Sequence, residues 1–282
     1  MTQITGDTVK QLRDRTNLPM MDCKRALVKT AGDMDKAIAI LREESGGAID
    51  GVKDRPVGQG RIGFFHQPNA KAAMVEVLCE SAPVAKSDVF VQLCNDIARQ
   101  VAEANPKSVA ELTSQPFVGD STRTVRDRIT EVFGLTQENM KVKRFHRGTG
   151  EIGTYCHHNG LVGAMLEVTG DNADADLLRD ICMHIAALNP TAATRENLPA
   201  EVIAQEQAFA RKQMNDDPRT AKKPSHIIET ILTGKMNKWF AQHVLLEQPF
   251  VKDDSKTVGD LLKSANLRFV RYTRFQVGKV ME

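Results

Sequence analysis

The sequence predicts an α+β protein, and three observations predict it. Apolar residues in the first 45 positions recur at helical spacing between capping and proline signals. A stretch starting at Gln115 recurs at Gln248, and around both copies the same order of hairpin, helix, helix and strand can be read. That order builds small antiparallel sheets, each covered by helices on one face. A long segment with its own helical periodicity interrupts the second copy, and structureless loops of such length are uncommon in compact domains.

The first helix is expected from about Thr5 to Arg15, where Val9 and Leu12 stand three apart. Pro19, which lacks an N–H, suits the opening of a second helix, and a third follows Gly32-Asp33. On a helical wheel Met20, Cys23, Ala26, Leu27 and Thr30 share one face of helix two, while Met21, Lys24 and Val28 lie on another. Only one face can be core. Met21 and Val28 are then either scattered surface apolars or part of a docking surface. The region from Gly46 to Gly60, with Gly46-Gly47, Gly51, Pro56 and Gly58, reads as a flexible linker.

Gln115-Pro116-Phe117-Val118 recurs as Gln248-Pro249-Phe250-Val251, and the agreement continues through Asp120/Asp253, Thr124/Thr257, Val125/Val258 and Asp127/Asp260. Upstream, Ile62-Gly63 followed by Ala73-Met74-x-Glu76-Val77 parallels Ile152-Gly153 followed by Ala164-Met165-x-Glu167-Val168. Each upstream stretch reads as a β-hairpin, with Gln67-Pro68-Asn69 at one tip and His158-Asn159-Gly160 at the other, where Asn-Gly suits a tight primed turn. Helices follow, from about Asp88 to Ala104 and from about Asp174 to Leu188. They stop at Asn105-Pro106 and Asn189-Pro190, because proline disfavours helical geometry in the residue before it. After Gln-Pro-Phe-Val comes a shorter helix and then a strand, Met140 to His146 in one half and Phe269 to Val277 in the other.

Eight residues separate Pro106 from Gln115, while fifty-seven separate Pro190 from Gln248. The inserted segment reads as two antiparallel helices, about Ala200 to Asn215 and Ser225 to Leu245, joined at Asp216-Asp217-Pro218-Arg219. Val202 and Phe209 mark the first arm; Ile228, Ile231, Leu232 and Trp239 mark the second. Periodicity alone fits either a hairpin packed on its own domain or a projecting arm, whose reach would be about 24 to 30 Å. The expected division is 1–45 for the three helices, 46–60 for the linker, 61–146 for the first core subdomain and 147–282 for the second. The second holds the inserted hairpin at about 200–245 and a C-terminal helix–strand module.

A chain of 282 residues with 41% hydrophobic residues can build two or three cores. Its formal charge of +2 gives no sign of a dedicated nucleic-acid binder. Five dispersed cysteines without a Cys-x-x-Cys pair read as reduced thiols in a cytosolic protein. No apolar run approaches the ~18 residues of a membrane span, and the polar N-terminus does not read as a signal peptide, so a cytoplasmic location without membrane association is expected.

The pattern Val9-Lys10-x-Leu12-Arg13-x-x-Thr16, followed by Met20-Met21-Asp22-Cys23-Lys24-x-Ala26-Leu27, resembles the opening of translation elongation factor Ts. That family comprises the exchange factors of the GTPase elongation factor Tu. The resemblance implies that the first 45 residues form a three-helix ubiquitin-associated-like domain whose helix-two surface touches the GTPase. Arg13, Met20, Met21 and Lys24 match family positions in that contact. The duplicated core is similar to the family's two related subdomains, and many bacterial members carry a coiled-coil arm at the position of the insertion. His184, in Met183-His184-Ile185-Ala186-Ala187, matches a position on the second subdomain's surface toward a different domain of the GTPase. Val251, in the similar run from Gln248 to Leu262, is assigned to the same contact. Without the resemblance, His184 reads as a satisfied histidine packed on a helix.

The chain departs from its family in three places. The family usually has glycines in the turn where Asn17 and Pro19 stand, and Asn can adopt the left-handed conformation needed there. Where the family motif Thr-Asp-Phe-Val-Ala reaches beside the nucleotide, this chain reads Cys79-Glu80-Ser81-Ala82-Pro83-Val84-Ala85-Lys86. Ala82 and Pro83 replace the Asp-Phe wedge, and the loop formed by Ala82, Pro83, Val84, Ala85 and Lys86 is still expected to make the contact. Beyond Phe275-Gln276-Val277-Gly278, where many relatives add a further docking helix, only Lys279 to Glu282 follow, so less of that contact is expected.

The function implied is guanine nucleotide exchange in translation elongation, without active-site chemistry, cofactor, metal or direct nucleotide binding. No Gly-x-x-x-x-Gly-Lys-Ser/Thr loop is present, and Cys156-His157-His158 has no second ligand pair at metal spacing. Two other readings use the same fold. One is a non-catalytic adaptor that binds peptides or ubiquitin-like folds. The other is an RNA-associated translation or replicase subunit, suggested by Arg123-x-x-Arg126-x-Arg128 and Lys141-x-Lys143-Arg144; the bland reading of these runs is a solvated charged face. RNA binding is not expected, and self-association through the core or the coiled coil is left open.

Overall fold

A computed structural model describes residues 4–16, 18–68, 70–171, 173–221 and 223–278. The expected turn residue Asn17, the hairpin residue Asn69 and the tail from Lys279 to Glu282 lie outside the described residues. The fold is α+β. Contacts divide the chain into two compact units, residues 1–149 with 156–163 and 275–282, and residues 150–155 with 164–274.

The first unit opens with helices α1 (Gly6–Thr16), α2 (Met20–Lys29) and α3 (Met34–Val52). Leu12, Cys23, Leu27 and Ala37 are fully buried at their centre. The Asp33 side chain accepts from Lys36 N–H at 3.0 Å and so caps α3. The helix then runs through Gly46, Gly47 and Gly51, half of the span expected as a linker. Glycine weakens a helix by about 1 kcal/mol per residue. Here Ile49 packs against the neighbouring core and Val52 is buried, so tertiary packing overrides the local preference.

Strands β1 (Gln59–Gln67) and β2 (Lys71–Cys79) form the first hairpin, followed by a short helix α4 (Ala82–Lys86) and the long α5 (Asp88–Ala104). Then come α6 (Val109–Ser114), the paired strands β3 (Pro116–Phe117) and β4 (Asp120–Thr124), α7 (Val125–Thr136) and β5 (Met140–Thr149). The antiparallel sheet has the order β1-β2-β5. Central β2 is buried on both faces: Ala73, Val75 and Val77 join Leu93, Ile97 and Val101 of α5 in one core, while Met74 and Glu76 lie on the opposite face.

The second unit repeats the plan. Most of β6 (Glu151–Cys156), β7 (Val162–Thr169) and β10 (Arg268–Gln276) belongs to it, in a sheet of order β10-β7-β6. Between β7 and β10 lie α8 (Ala175–Leu188), the inserted helices α9 (Ala200–Asp216) and α10 (Ser225–His243), the paired β8 (Pro249–Phe250) and β9 (Asp253–Thr257), and α11 (Val258–Ser264). The seam between α9 and α10 is made by Ala210, Met214, Leu232, Met236 and Phe240 with Ile203 and Trp239. Val202 and Phe209, expected as the marks of the first arm, lie off that seam, Phe209 with 55% of its surface exposed. Ala210 lets the helices approach closely, and a stripe containing alanine is easily missed when bulky residues are sought.

The duplication has physical content at each repeated residue. Asp120 accepts from the backbone and hydroxyl of Thr122, and Asp253 does the same with Ser255, at the starts of β4 and β9 immediately after their turns. Thr124 with Asp127, and Thr257 with Asp260, are reciprocal capping boxes of α7 and α11. Asn105 and Asn189 are left-handed C-caps, at φ of 49° and 48°, immediately before their prolines. At Gly63 a β-carbon would lie 2.3 Å from the Cys94 carbonyl oxygen, and at Gly153 it would lie 2.7 Å from that of Leu178. Strand rests on helix backbone at equivalent points of both halves. Gly63→Ala forces β1 off α5 and is expected to lower stability by about 1 to 3 kcal/mol. Urea unfolding measures this, and an unshifted midpoint would refute the close-approach argument.

Candidate functional site

Helix α2 divides its side chains between two environments. Cys23, Ala26 and Leu27 are buried, whereas Met21 and Val28 are 62% and 60% exposed. Met20 falls on the core face by its angle, yet as the first helical residue it remains 48% exposed. Lys24 lies between these apolar groups on the exposed side, and Arg13 is exposed on α1. Unsupported methionines are deformable and suit an irregular apolar partner.

The segment expected as a loop at 82–86 is helix α4. Ser81 caps it: its Oγ accepts from Val84 N–H at 3.4 Å and donates to Glu138 Oε1 at 2.5 Å, while Ser81 N–H donates to Glu138 Oε2 at 3.0 Å. Pro83 sits in the first turn, where a missing N–H costs nothing. Ala82, Pro83 and Lys86 face outward and Val84 is half-buried, but Ala85 is buried in the core of the first unit. Ala85, expected as a contact residue, therefore holds the segment down instead.

His184 is fully buried on α8 and so offers its side chain to its own subdomain. Its Nδ1 accepts from Val251 N–H at 3.2 Å, which leaves the ring proton on Nε2, donated to Gln248 Oε1 at 2.9 Å. Gln248 Nε2 in turn donates to the Gln242 carbonyl at 2.8 Å. Burial holds the imidazole pKa below its ordinary value of 6.5, with the Gln248 bond opposing. The surface residue at this place is Val251, 49% exposed, whose backbone His184 fixes. The first half contains the same device with another residue. Gln100 Oε1 accepts from Val118 N–H at 2.8 Å and Gln100 Nε2 donates to Gln115 Oε1 at 3.2 Å. Gln100 occupies the position of His184, five residues before the capping asparagine.

The remaining motifs have local explanations. Arg123 pairs with Asp120 and Glu131, Arg128 with Asp96 and Glu131, and Lys143 and Arg144 with Glu76, so these four cations of the two basic runs have counter-charges within the chain, and Arg126 and Lys141 are exposed. Among the described residues no group of three His, Cys, Asp or Glu side chains could hold a metal ion. All five cysteines are free thiols, and burial pushes that of Cys79 up to about 12. No described helix is long and apolar enough to cross a membrane.

The pattern of the family described as Elongation factor TS matches residues 80–279. The chain belongs to the elongation factor Ts family. Elongation factor Ts of Thiobacillus denitrificans is 39% identical over 100% of this chain and 94% of its own length. That of Thioalkalivibrio sulfidiphilus is 37% identical over 99% and 94%, and that of Lactiplantibacillus plantarum 34% over 100% and 94%. The elongation factor Ts family pattern begins at Glu80, so it takes in α4, α8 and the β8–β9 turn, while likeness across α1 to α3 comes from these relatives. Glu138 and Gln248 hold α4 and the Val251 turn in place, and both supporting roles escaped sequence reading. Ser81 ahead of Ala82-Pro83 is a legible capping signal; a bond from residue 138 to residue 81 has no local signature.

Proposed function

We propose that the protein binds elongation factor Tu and promotes GDP release, so that GTP can follow. The observation that carries this reading is the apolar outer face of α2 at Met20, Met21 and Val28, on a helix whose opposite face already makes the core. Likeness to elongation factor Ts proteins across α1 to α3 supports elongation factor Tu as the partner of that face. In this reading α1 to α3 act as a ubiquitin-associated-like domain and docking module through Arg13, Met20, Met21 and Lys24. The segment from Ala82 to Lys86 lies beside the nucleotide site. The subdomain carrying His184 and Val251 meets a second GTPase domain, and α9 with α10 form a coiled-coil arm. The reading puts the protein in the cytoplasm with the translation machinery.

Such a factor needs no catalytic side chain. It acts by binding the nucleotide-free GTPase better than the GDP-bound form, and linkage makes the effect reciprocal. Weakening GDP binding a thousandfold takes about 4 kcal/mol of coupling. Several separated contacts supply that more readily than one, which suits a chain with a module, a capped segment and a second subdomain. Proline has a fixed φ and less volume than an aromatic wedge, so the α4 contact in this chain is shallow and the α2 contact correspondingly more important.

Elongation factor Tu loaded with fluorescent GDP, mixed with the protein and excess unlabelled nucleotide, tests the proposal. Saturable acceleration of release is expected; binding without acceleration would leave a non-catalytic adaptor. Met21→Ala should slow exchange about tenfold, equivalent to about 1.4 kcal/mol of lost docking. Pro83→Ala should have a smaller effect, and stopped-flow rates that reverse this order would contradict the weight given to α2.

A further inference from the structure

Helix α3 belongs to two cores at once. Its first half, through Ala37 and Leu41, closes the three-helix module; its far end, through Ile49, packs on the core of the first sheet. The module also touches α7 directly, at a place where a β-carbon on Gly134 would lie 2.2 Å from Leu18 Cδ2. Just beyond α7 stands Asn139, 2% exposed. Its Nδ2 donates to the Lys53 carbonyl at 3.1 Å and to the Arg55 carbonyl at 2.7 Å, gripping the chain where α3 ends. Its backbone N–H donates to Glu80 Oε1 at 2.6 Å, and the adjacent Glu138 holds Ser81, the cap of α4. Residues 138 and 139 thus clasp the end of α3 on one side and the base of α4 on the other.

We propose that Asn139 is a positioning residue that holds the α2 surface and the α4 segment at one fixed separation. This inference rests on the exchange reading above. Two contacts on a slack tether give avidity alone. Two contacts on a rigid frame force the partner to match their spacing, and strain in the partner is what separates exchange from mere binding. Both side-chain donors of Asn139 are used on main-chain carbonyls that no regular element satisfies, which alanine cannot reproduce.

The test is the concentration dependence of GDP release from elongation factor Tu with full-length protein, Asn139→Ala and Leu18→Ala. Leu18→Ala removes the side chain that rests on α7 at Gly134 and loosens the same frame from the other side, so it serves if Asn139→Ala does not fold. The plateau rate should fall about tenfold in each variant, with the half-saturating concentration changed less than about threefold. Partial unfolding predicts the reverse, since more protein would then reach the same plateau. Combined with Met21→Ala, the loss should be much less than additive, because loosening the support of a contact already removed has little left to undo. Unchanged plateaus in both variants, or full additivity with Met21→Ala, would overturn the positioning role while the parent still accelerates release. No acceleration by the parent would instead defeat the exchange reading on which the inference rests.

Discussion

Replacing His184 by glutamine should leave stability within about 1 kcal/mol of the parent, whereas His184→Ala should cost about 3 kcal/mol. The reason lies in the other half of the molecule, where Gln100 accepts from Val118 and donates to Gln115 as His184 does with Val251 and Gln248. A neutral imidazole and a carboxamide both present one acceptor and one donor here, so glutamine can restore both bonds. Alanine orphans the Val251 N–H and the Gln248 oxygen and opens a cavity. The parent and the glutamine variant should separate in acid. His184 has a lowered pKa in the folded protein, so between that value and the unfolded value near 6.5 the unfolded chain binds more protons. The stability contributed by neutral His184 is complete above 6.5 and is lost as pH falls through the folded value. Urea unfolding of both proteins from pH 8 to pH 5 isolates the effect, because every carboxylate is common to the pair. Parallel curves would show that His184 takes up its second proton as readily in the folded protein as in the unfolded chain, and would refute the lowered pKa.

Glu76→Ala should be comparably destabilising, by about 3 kcal/mol, the low end for an opened buried ion pair because its cations keep some water. Glu76 is fully buried on the central strand β2. It accepts from Arg144 Nε at 2.6 Å, Lys143 Nζ at 3.3 Å and the backbone N–H of Gly278 at 3.0 Å. The β2–β5 register slips between Glu76 and Val77, so that Lys143 and Arg144 both meet one carboxylate. Arg144 also lies 4.4 Å over the ring of Phe275. Glu76→Gln keeps an acceptor for Gly278 and should lose less than alanine. Urea unfolding gives the stabilities, and hydrogen exchange at Gly278 should quicken in the alanine variant. Equal stability of parent and alanine variant would mean that the desolvation of Glu76 offsets its three bonds.

Much of this architecture was legible because its signals are local. Proline after asparagine acts between neighbours and stops both α5 and α8, whereas Asn159-Gly160, expected as a tight primed turn, lies in a five-residue connection in which Gly160 but not Asn159 has a positive φ. On the seam of α9 and α10 the second-arm residues Ile228, Ile231, Leu232 and Trp239 pack as expected, whereas on the first arm small Ala210, with Met214, takes the place expected for Val202 and Phe209. The continuation of α3 through three glycines was hidden because Ile49 and Val52 find their partners outside the helix. Site residues divided along the same line. Met21 and Lys24 could be assigned to an outer face from spacing alone. Ala85 and His184 lie inward because their surroundings are assembled from distant segments, through Gln248 and Val251 in the case of His184, and no periodicity reports that.

The bond between Glu76 and Gly278 joins residues 202 positions apart. A ribosome adding residues at ordinary speed takes roughly 10 to 40 s to travel that distance. β2 already exists in the nascent chain through that interval, and from the addition of Arg144 onward Glu76 has Lys143 and Arg144 but not its third donor. The first unit therefore completes its own hydrogen bonding only when synthesis has passed the whole of the second. An amino-terminal fragment stalled between Arg144 and Gly278 emerges with a carboxylate on the central strand short of one partner, a built-in mark of incomplete manufacture.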